Sequence, residues 1–506
     1  MPGSAAADLS ADVLRSTHDF IDTRLTWTFG DDDVLGTTGQ RVPLSPEVRI
    51  GDRQQYQLFF DALNTRFAGR ENLTHLALYA RAPGFIPRVN TEASLVLRFD
   101  LGELEAGTPQ RSLYDAGSFL RVSYALDPAR PTDALALTFF PFDTDRFRLG
   151  YLWDLSWGGN DVFPRRVGPA PGMKLSLDLG PFSAWAGFKT AGIVVPVEVR
   201  TASGDVERVR LEESQHAGLG GVTLRVGEPL RVDLGGGWFS QGRFELPGLE
   251  GRPVYVFGGS VRVLLSRGLH TPQSLDMMLY RNDPTAPFVA FAPETYAPGQ
   301  VAWSVSLEGA ALAQHLALAS SPGATALQPA LAGAVQGRMR VGYFGVSVTG
   351  LYRDAAFVLR NVPGFVPFQT FAEDAAVNPE FFLAAQIDHA FTAAHLLPSV
   401  IVGVQFPANL TARVTEGSLE TLRTVVIRRS GNFAVLPQGE RASPIVSARA
   451  SLRWDLSTIL AGIAWVQYVR DDNGSVLQLD ASGMRQVRVF QRPDQLGFGI
   501  TVQARF

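Results

Sequence analysis

The residues able to do chemistry in this chain are few and dispersed. Asp31, Asp32 and Asp33 form a run of three carboxylates. Three carboxylates can begin a calcium shell if carbonyls complete it, but no EF-hand spacing follows, and a solvated charge run is the simpler reading. The seven histidines are scattered, and the closest pair, His389 and His395, straddles an expected turn without zinc-ligand spacing. There is no cysteine, so no disulfide, thiolate nucleophile or thiolate ligand is available. No phosphate-binding loop, nucleophile elbow or dinucleotide fingerprint sits in a strand-to-helix context. The expectation is a protein that is not an enzyme, with no catalytic residue, no metal and no cofactor.

Composition narrows the class. The chain has 506 residues, 46% hydrophobic and 19% charged, with a formal net charge of −4. No basic tract stands out, so nucleic acid is not an expected partner. Of the 45 basic residues only Lys174 and Lys189 are lysines, a skew that fits genome composition. Mean hydropathy is +0.06, and no apolar run approaches the roughly 18 to 20 residues of a spanning helix.

The elements that must position everything else are strands. Strict alternation of apolar and polar residues marks a ribbon with two different faces. Phe147, Leu149, Tyr151, Trp153, Leu155 and Trp157 alternate with Arg146, Arg148, Asp154 and Ser156. Leu496, Phe498, Ile500, Val502, Ala504 and Phe506 alternate with Gly497, Gly499, Thr501, Gln503 and Arg505. Met173 to Leu179 and Val446 to Leu456 behave alike. These runs reach about ten residues, the length of a membrane-crossing strand, where soluble strands run about 5 to 6. In a barrel the apolar face meets lipid and the polar face a wet lumen, and an Arg on the lipid side would cost about 2 to 4 kcal/mol at mid-membrane.

The pattern therefore predicts an all-β transmembrane antiparallel barrel of about 22 strands, within a range of 18 to 24, with short periplasmic turns and long extracellular loops. The expected strands include 53–63, 72–82, 145–157 and 274–281, with a doubtful break at Gly309 between 299–309 and 311–319. Residues 1–19 would be a short periplasmic segment and 20–506 the barrel, too little before the first strand for a separate plug domain. No signal peptide is visible at the start, which reads as a processed or altered mature end. Tight connections at Phe142–Thr144, Gly180-Pro181 and Gly227–Pro229 alternate with long ones at 30–52, 158–171, 192–214, 282–298, 355–377 and 409–443.

Two loops repeat a motif. Pro83-Gly84-Phe85-Ile86-Pro87 recurs as Pro363-Gly364-Phe365-Val366-Pro367, and each follows a strand expected to ascend. Either both are independent strand terminators, or they are rigid apolar loops that fold into the lumen or bind a partner. The segments Pro284–Pro293 and Val366–Phe371 invite the same choice, because this much apolar surface should be covered.

The end of the chain resembles the outer-membrane β-barrel superfamily of Gram-negative bacteria, which includes the porins. The terminal Phe506, preceded by alternating apolar residues, is similar to that family's assembly signal. The resemblance implies outer-membrane lipid and the barrel-assembly machinery as partners. On the strand pattern, Phe147, Leu149, Tyr151, Trp153, Leu155, Trp157 and Phe498 are expected to face lipid. Arg146, Arg148, Asp154, Lys174, Asp178, Arg231, Asp233, Arg449, Arg453 and Gln503 are expected to line the lumen. Two functions remain open: a porin-like channel for small solutes with weak ion preference, or a non-conducting scaffold whose bore is filled by envelope proteins.

Overall fold

The computed structural model describes residues 20–31, 34–35, 47–50, 75–99, 113–115, 118–142, 147–152, 155–158, 171–200, 206–227, 229–269, 300–360, 368–416, 419–427, 433–457, 459–479 and 486–505. A sheet whose face meets hydrocarbon cannot leave an unpaired edge there, so it must close. The strands do so. In order around the wall they are Phe20–Asp31, His75–Pro83, Val89–Phe99, Phe119–Asp127, Arg130–Phe140, Gly172–Leu179, Phe182–Arg200, Val206–Val226, Leu230–Arg243, Pro253–Arg267, Val301–Ala317, Thr325–Val341, Phe344–Arg353, Glu380–His389, Leu396–Phe406, Ile445–Asp455, Leu460–Asp471 and Asp494–Arg505. Each pairs antiparallel with the next. The last returns to the first through Trp27↔Val502 and Phe29↔Ile500, so these eighteen strands form a ring. Two short strands, Glu47–Ile50 and Leu113–Asp115, complete the 20-stranded sheet.

The ring sits at the lower bound of the expected range for identifiable reasons. Segments 299–309 and 311–319 are one strand, Val301–Ala317, that runs through Gly309 without a break. In the run expected at 145–157, the described residues 147–152 and 155–157 are not part of a wall strand. Expected strands 53–63 and 274–281 lie outside the described residues. One consequence is directional. The strand His75–Pro83 runs antiparallel to Phe20–Asp31 and is second in the ring, so it descends where the sequence reading had it ascend. The connection from 268 to 300 likewise starts and ends beside the tight turns, since Ser266 donates to the Pro229 carbonyl and Gly342 to that of Gln300. The Pro284–Pro293 segment within it is outside the described residues.

Alternation is expressed as two environments. Along Val301–Ala317, Val301, Val305 and Leu307 are exposed while Ala302, Ser304, Ser306, Glu308, Ala310, Leu312 and Gln314 are buried. The same apolar outer row recurs in Leu120, Val122 and Tyr124, in Met173 and Leu175, and in Leu327, Leu331, Val335 and Met339. A ring of strands with a continuous apolar exterior is a transmembrane β-barrel of the outer-membrane type. Tight connections at 128–129, 180–181, 227–229 and 342–343 share one end, which by the rule for bacterial barrels is periplasmic.

At the opposite end the long connections have structure of their own. Segment 409–443, expected as a loop, supplies Asn409–Glu416, Leu419–Ile427 and Phe433–Val435, which join Ala376–Asn378 in a four-stranded sheet. Beyond the last wall hairpin, Ser475–Leu479 and Gln486–Phe490 make a separate two-stranded ribbon.

Candidate functional site

A barrel of 16 to 18 strands encloses an aqueous channel unless something fills it. Here the inner face is largely buried, because parts of the chain turn inward. The first insert is described at residues 147–152 and 155–158. Leu149 and Trp157 pair through reciprocal N–H···O bonds of 2.9 Å, and Leu155 and Ser156 donate back to the Leu152 carbonyl. Two glycines permit this shape. Gly150 and Gly158 have φ of +92° and +89°, and a Cβ at Gly158 would lie 2.4 Å from Phe239.

Phe147, Leu149, Tyr151, Leu155 and Trp157 are all buried, in one cluster with Phe239, Leu312 and Phe357. This corrects the expectation that they face lipid. The alternation was real, but both sides of the segment are enclosed by the barrel. Trp153 lies outside the described residues. Phe498 remains in register with exposed Ile500, on the outer side of its strand.

Wall side chains hold this insert from two directions. Glu308, 5% exposed, accepts the backbone N–H of Tyr151 at 2.6 Å and of Leu152 at 2.9 Å. Lys189, 0% exposed, donates from Nζ to the carbonyls of Phe147 at 3.2 Å and Gly158 at 2.7 Å. Aromatic contacts fill the space between: Phe147 stacks on Phe140, and Trp157 meets Phe239 edge-on. The Arg262 guanidinium lies 4.1 Å above the Tyr151 ring. Arg262 and Arg231 both pair with Asp233, which also accepts the Thr223 hydroxyl.

A second insert comes from the connection between Phe344–Arg353 and Glu380–His389. Its helix, Ala355–Arg360, starts after Asp354, whose carboxylate accepts the Leu331 N–H at 2.8 Å. Ala356 and Phe357 pack on the lumenal row of Ala330, Ala332, Leu351 and Phe382. Ala355, Val358 and Leu359 pack on Ala408 and Ile427 beneath the outer sheet. Phe368 packs edge-on to Phe244. Phe368 is buried with Leu249, Val254 and Ala317, and Phe371 packs against the clusters around the helix, so these two phenylalanines of the Val366–Phe371 segment are covered by the chain itself rather than held out for a partner.

The remaining expected lumen residues are distributed around the wall. Lys174, Asp178, Arg231, Asp233, Arg449 and Arg453 lie in register opposite the exposed apolar row. Lys174 stands 4.9 Å above the Trp185 ring. Arg449 bonds Gln467, and Arg453 pairs with Asp455 at 2.8 Å. Arg148 is on the first insert and buried, not on the wall. Gln503 has an inward register position opposite Ala461. Arg146, Asp154 and Phe506 are outside the described residues, as are Asp32, Asp33, Pro363, Gly364, Phe365 and Pro367.

Sequence reasoning missed Lys189, Arg262, Glu308 and the buried pairs Arg353–Glu380 and Arg340–Asp388. A signal was present: Glu308 is the one carboxylate in a strand with no Lys or Arg, VAWSVSLEGAALAQHLA. An isolated ionisable group at membrane depth marks a functional position. Of the repeated motifs, Pro83–Pro87 turns at the periplasmic end, where Gly84 donates to the Val89 carbonyl and Phe85 and Ile86 are exposed. It does not fold into the lumen. His389 and His395 flank a turn, and no group of potential metal ligands occurs among the described residues.

No family model matches the chain, and no curated protein does. Among solved structures it is similar to OccAB1 of Acinetobacter baumannii, at 10% identity and a TM-score of 0.45 over 96% of each chain. It is also similar to OpdO of Pseudomonas aeruginosa, at 10% identity and a TM-score of 0.43 over 97% of this chain and 96% of that one. OmpT of Vibrio cholerae matches at 8% identity and a TM-score of 0.37, covering 96% and 97%. The fold assignment stands on the closed strand ring and its apolar exterior.

Proposed function

We propose that this outer-membrane barrel is a porin-like channel for small solutes, with a bore narrowed by its own inserts and no catalytic activity. The observation that carries the reading is the pair of inward segments, 147–158 and the helix Ala355–Arg360, packed on the lumenal face. A ring of eighteen strands is wide enough for water, and a segment that narrows such a bore sets which solutes pass. The scaffold reading needed a second protein to obstruct an open lumen. Obstruction by the chain itself removes that need. The wall charges alternate in sign between neighbours, as in Arg231–Asp233, Arg340–Asp388 and Arg353–Glu380, which supports a weak ion preference.

The test is purified protein in a planar bilayer, alongside liposome swelling with uncharged solutes of graded size. Stepwise conductance and a sharp size limit are the expected result. A silent barrel that co-purifies with periplasmic proteins or lipoproteins would overturn the channel in favour of the scaffold.

A further inference from the structure

The chain carries 45 basic residues, and only two are lysines. Both approach the first insert. Lys174 lies 6.0 Å from the Phe147 ring, and Lys189 bonds the carbonyls at the two ends of the insert. The ammonium is a compact charge on a flexible stem with three donors, so it can reach two divergent carbonyls that a planar guanidinium would address less well. Glu308 supplies the complement, a carboxylate whose two oxygens take two consecutive N–H groups. Irregular backbone inside a barrel must find partners for its own polar groups, and these two side chains provide four of those bonds. They belong to strands Phe182–Arg200 and Val301–Ala317, four strand spacings apart in the ring, or about 19 Å along the wall at ~4.8 Å each.

We propose that Lys189 and Glu308 are the positioning residues of the constriction, clamping residues 147–158 from opposite flanks so that the aperture is set by this pair of buried charges. The cost of burying each ion is tolerated where the charge replaces water with fixed backbone dipoles. The anchoring is independent of what passes through the bore; the effect on aperture rests on the channel reading above.

The native chain offers its own reporter. Acetylation with a water-soluble succinimidyl ester, read by peptide mass spectrometry, has only Lys174, Lys189 and the terminal amine as targets among its amines. In the folded wild-type barrel in detergent, Lys174 should react at least about tenfold faster than Lys189, because Lys189 becomes accessible only when the insert opens. Glu308→Ala should bring the two rates within about threefold of each other by raising the open population, and should raise unit conductance and the solute size limit. If Glu308→Ala gives no heat-modifiable band on a denaturing gel, Glu308→Gln, which keeps one acceptor oxygen, is read the same way with an intermediate shift expected. A structural role alone would alter heat modifiability without opening the pore. Equal reactivity of both lysines in the wild type overturns the proposal, as does unchanged Lys189 protection in the variants. Exposure of Lys189 with no change in a conducting barrel overturns the assignment of the aperture to this pair. A silent wild type whose Lys189 is released by the variant supports the clamp and sinks the channel.

Discussion

The two inserts occupy the same lumen and are held by opposite means. The described residues of the first insert, 147–152 and 155–158, have almost no regular structure, and backbone groups among them are bonded to two buried wall charges. Residues 355–360 form a short helix whose first bonds run from the Phe357 and Val358 N–H groups to the Asp354 carbonyl, and its side chains are wedged between the wall and the outer sheet by apolar packing. The difference follows from where backbone hydrogen bonds can be found. A helical turn makes part of its bonding locally and can rest on apolar packing. An irregular strap in a water-poor interior needs ionic partners. The strap is therefore sensitive to single polar substitutions, and the helix to loss of volume.

The largest effect should come from the helical insert. Phe357 is 0% exposed, and Phe357→Ala should cost about 3–5 kcal/mol through the cavity it leaves. Hydrogen exchange at residues 354–359 should accelerate while Lys189 stays protected from acetylation. Loss of Lys189 protection would show that the two inserts form one cooperative unit. The wall is the next comparison. Val335 lies mid-strand in the exposed outer row, and Val335→Arg should cost about 2–4 kcal/mol at the membrane midplane. That loss should appear as a lower denaturant midpoint in lipid with both inserts still packed. Placing the same charge at an inward position should cost far less if that face meets water, and the contrast checks the sidedness of the strand directly.

The strap's geometry comes third. Gly158→Ala forces a side chain into a φ of +89° with Phe239 at 2.4 Å. Overpacking of this kind costs about 1–3 kcal/mol, here concentrated where Trp157 meets Phe239. The expected readout is a red-shifted tryptophan emission and a broader conductance distribution. A variant identical to the wild type in both would mean that the strap is not held in this conformation.

The wall was legible because alternation is a local property with a single physical cause, water on one side and hydrocarbon on the other. Gly172–Leu179 and Asp494–Arg505 could be read off residue by residue. The strap was not legible, for the same reason. Phe147 to Trp157 alternate as cleanly as any wall strand, and period two reports a two-sided ribbon without saying what each side touches. The strand His75–Pro83 pairs directly with Phe20–Asp31, so the sequence reading had its direction reversed. The Pro83–Pro87 turn was therefore assigned to the wrong end. The helix was legible in principle. Asp354 ahead of Ala-Ala-Phe-Val-Leu-Arg is an N-terminal signal for a short helix, but six residues between long strands give too little periodicity to compete with a loop reading. Glu308 was visible as the lone charge of an apolar strand and Lys189 as one of only two lysines, yet nothing local pairs them. Their relation exists only after the ring closes.

The smallest expected effect addresses whether the strap depends on its charges alone. Arg262 lies over the Tyr151 ring at 4.1 Å while its guanidinium is also paired with Asp233. A desolvated cation over an aromatic face contributes about 1–2 kcal/mol. Tyr151→Phe keeps the ring and should leave conductance and Lys189 protection as they are. Tyr151→Leu removes the ring but not the N–H that Glu308 accepts, so it should raise Lys189 acetylation by a factor of about five at most, an opening cost near 1 kcal/mol. If Tyr151→Leu matched Glu308→Ala in both assays, the ring would be the principal anchor and the carboxylate secondary. The strap would then resemble the helical insert in being held mainly by packing, and the contrast between the two would collapse.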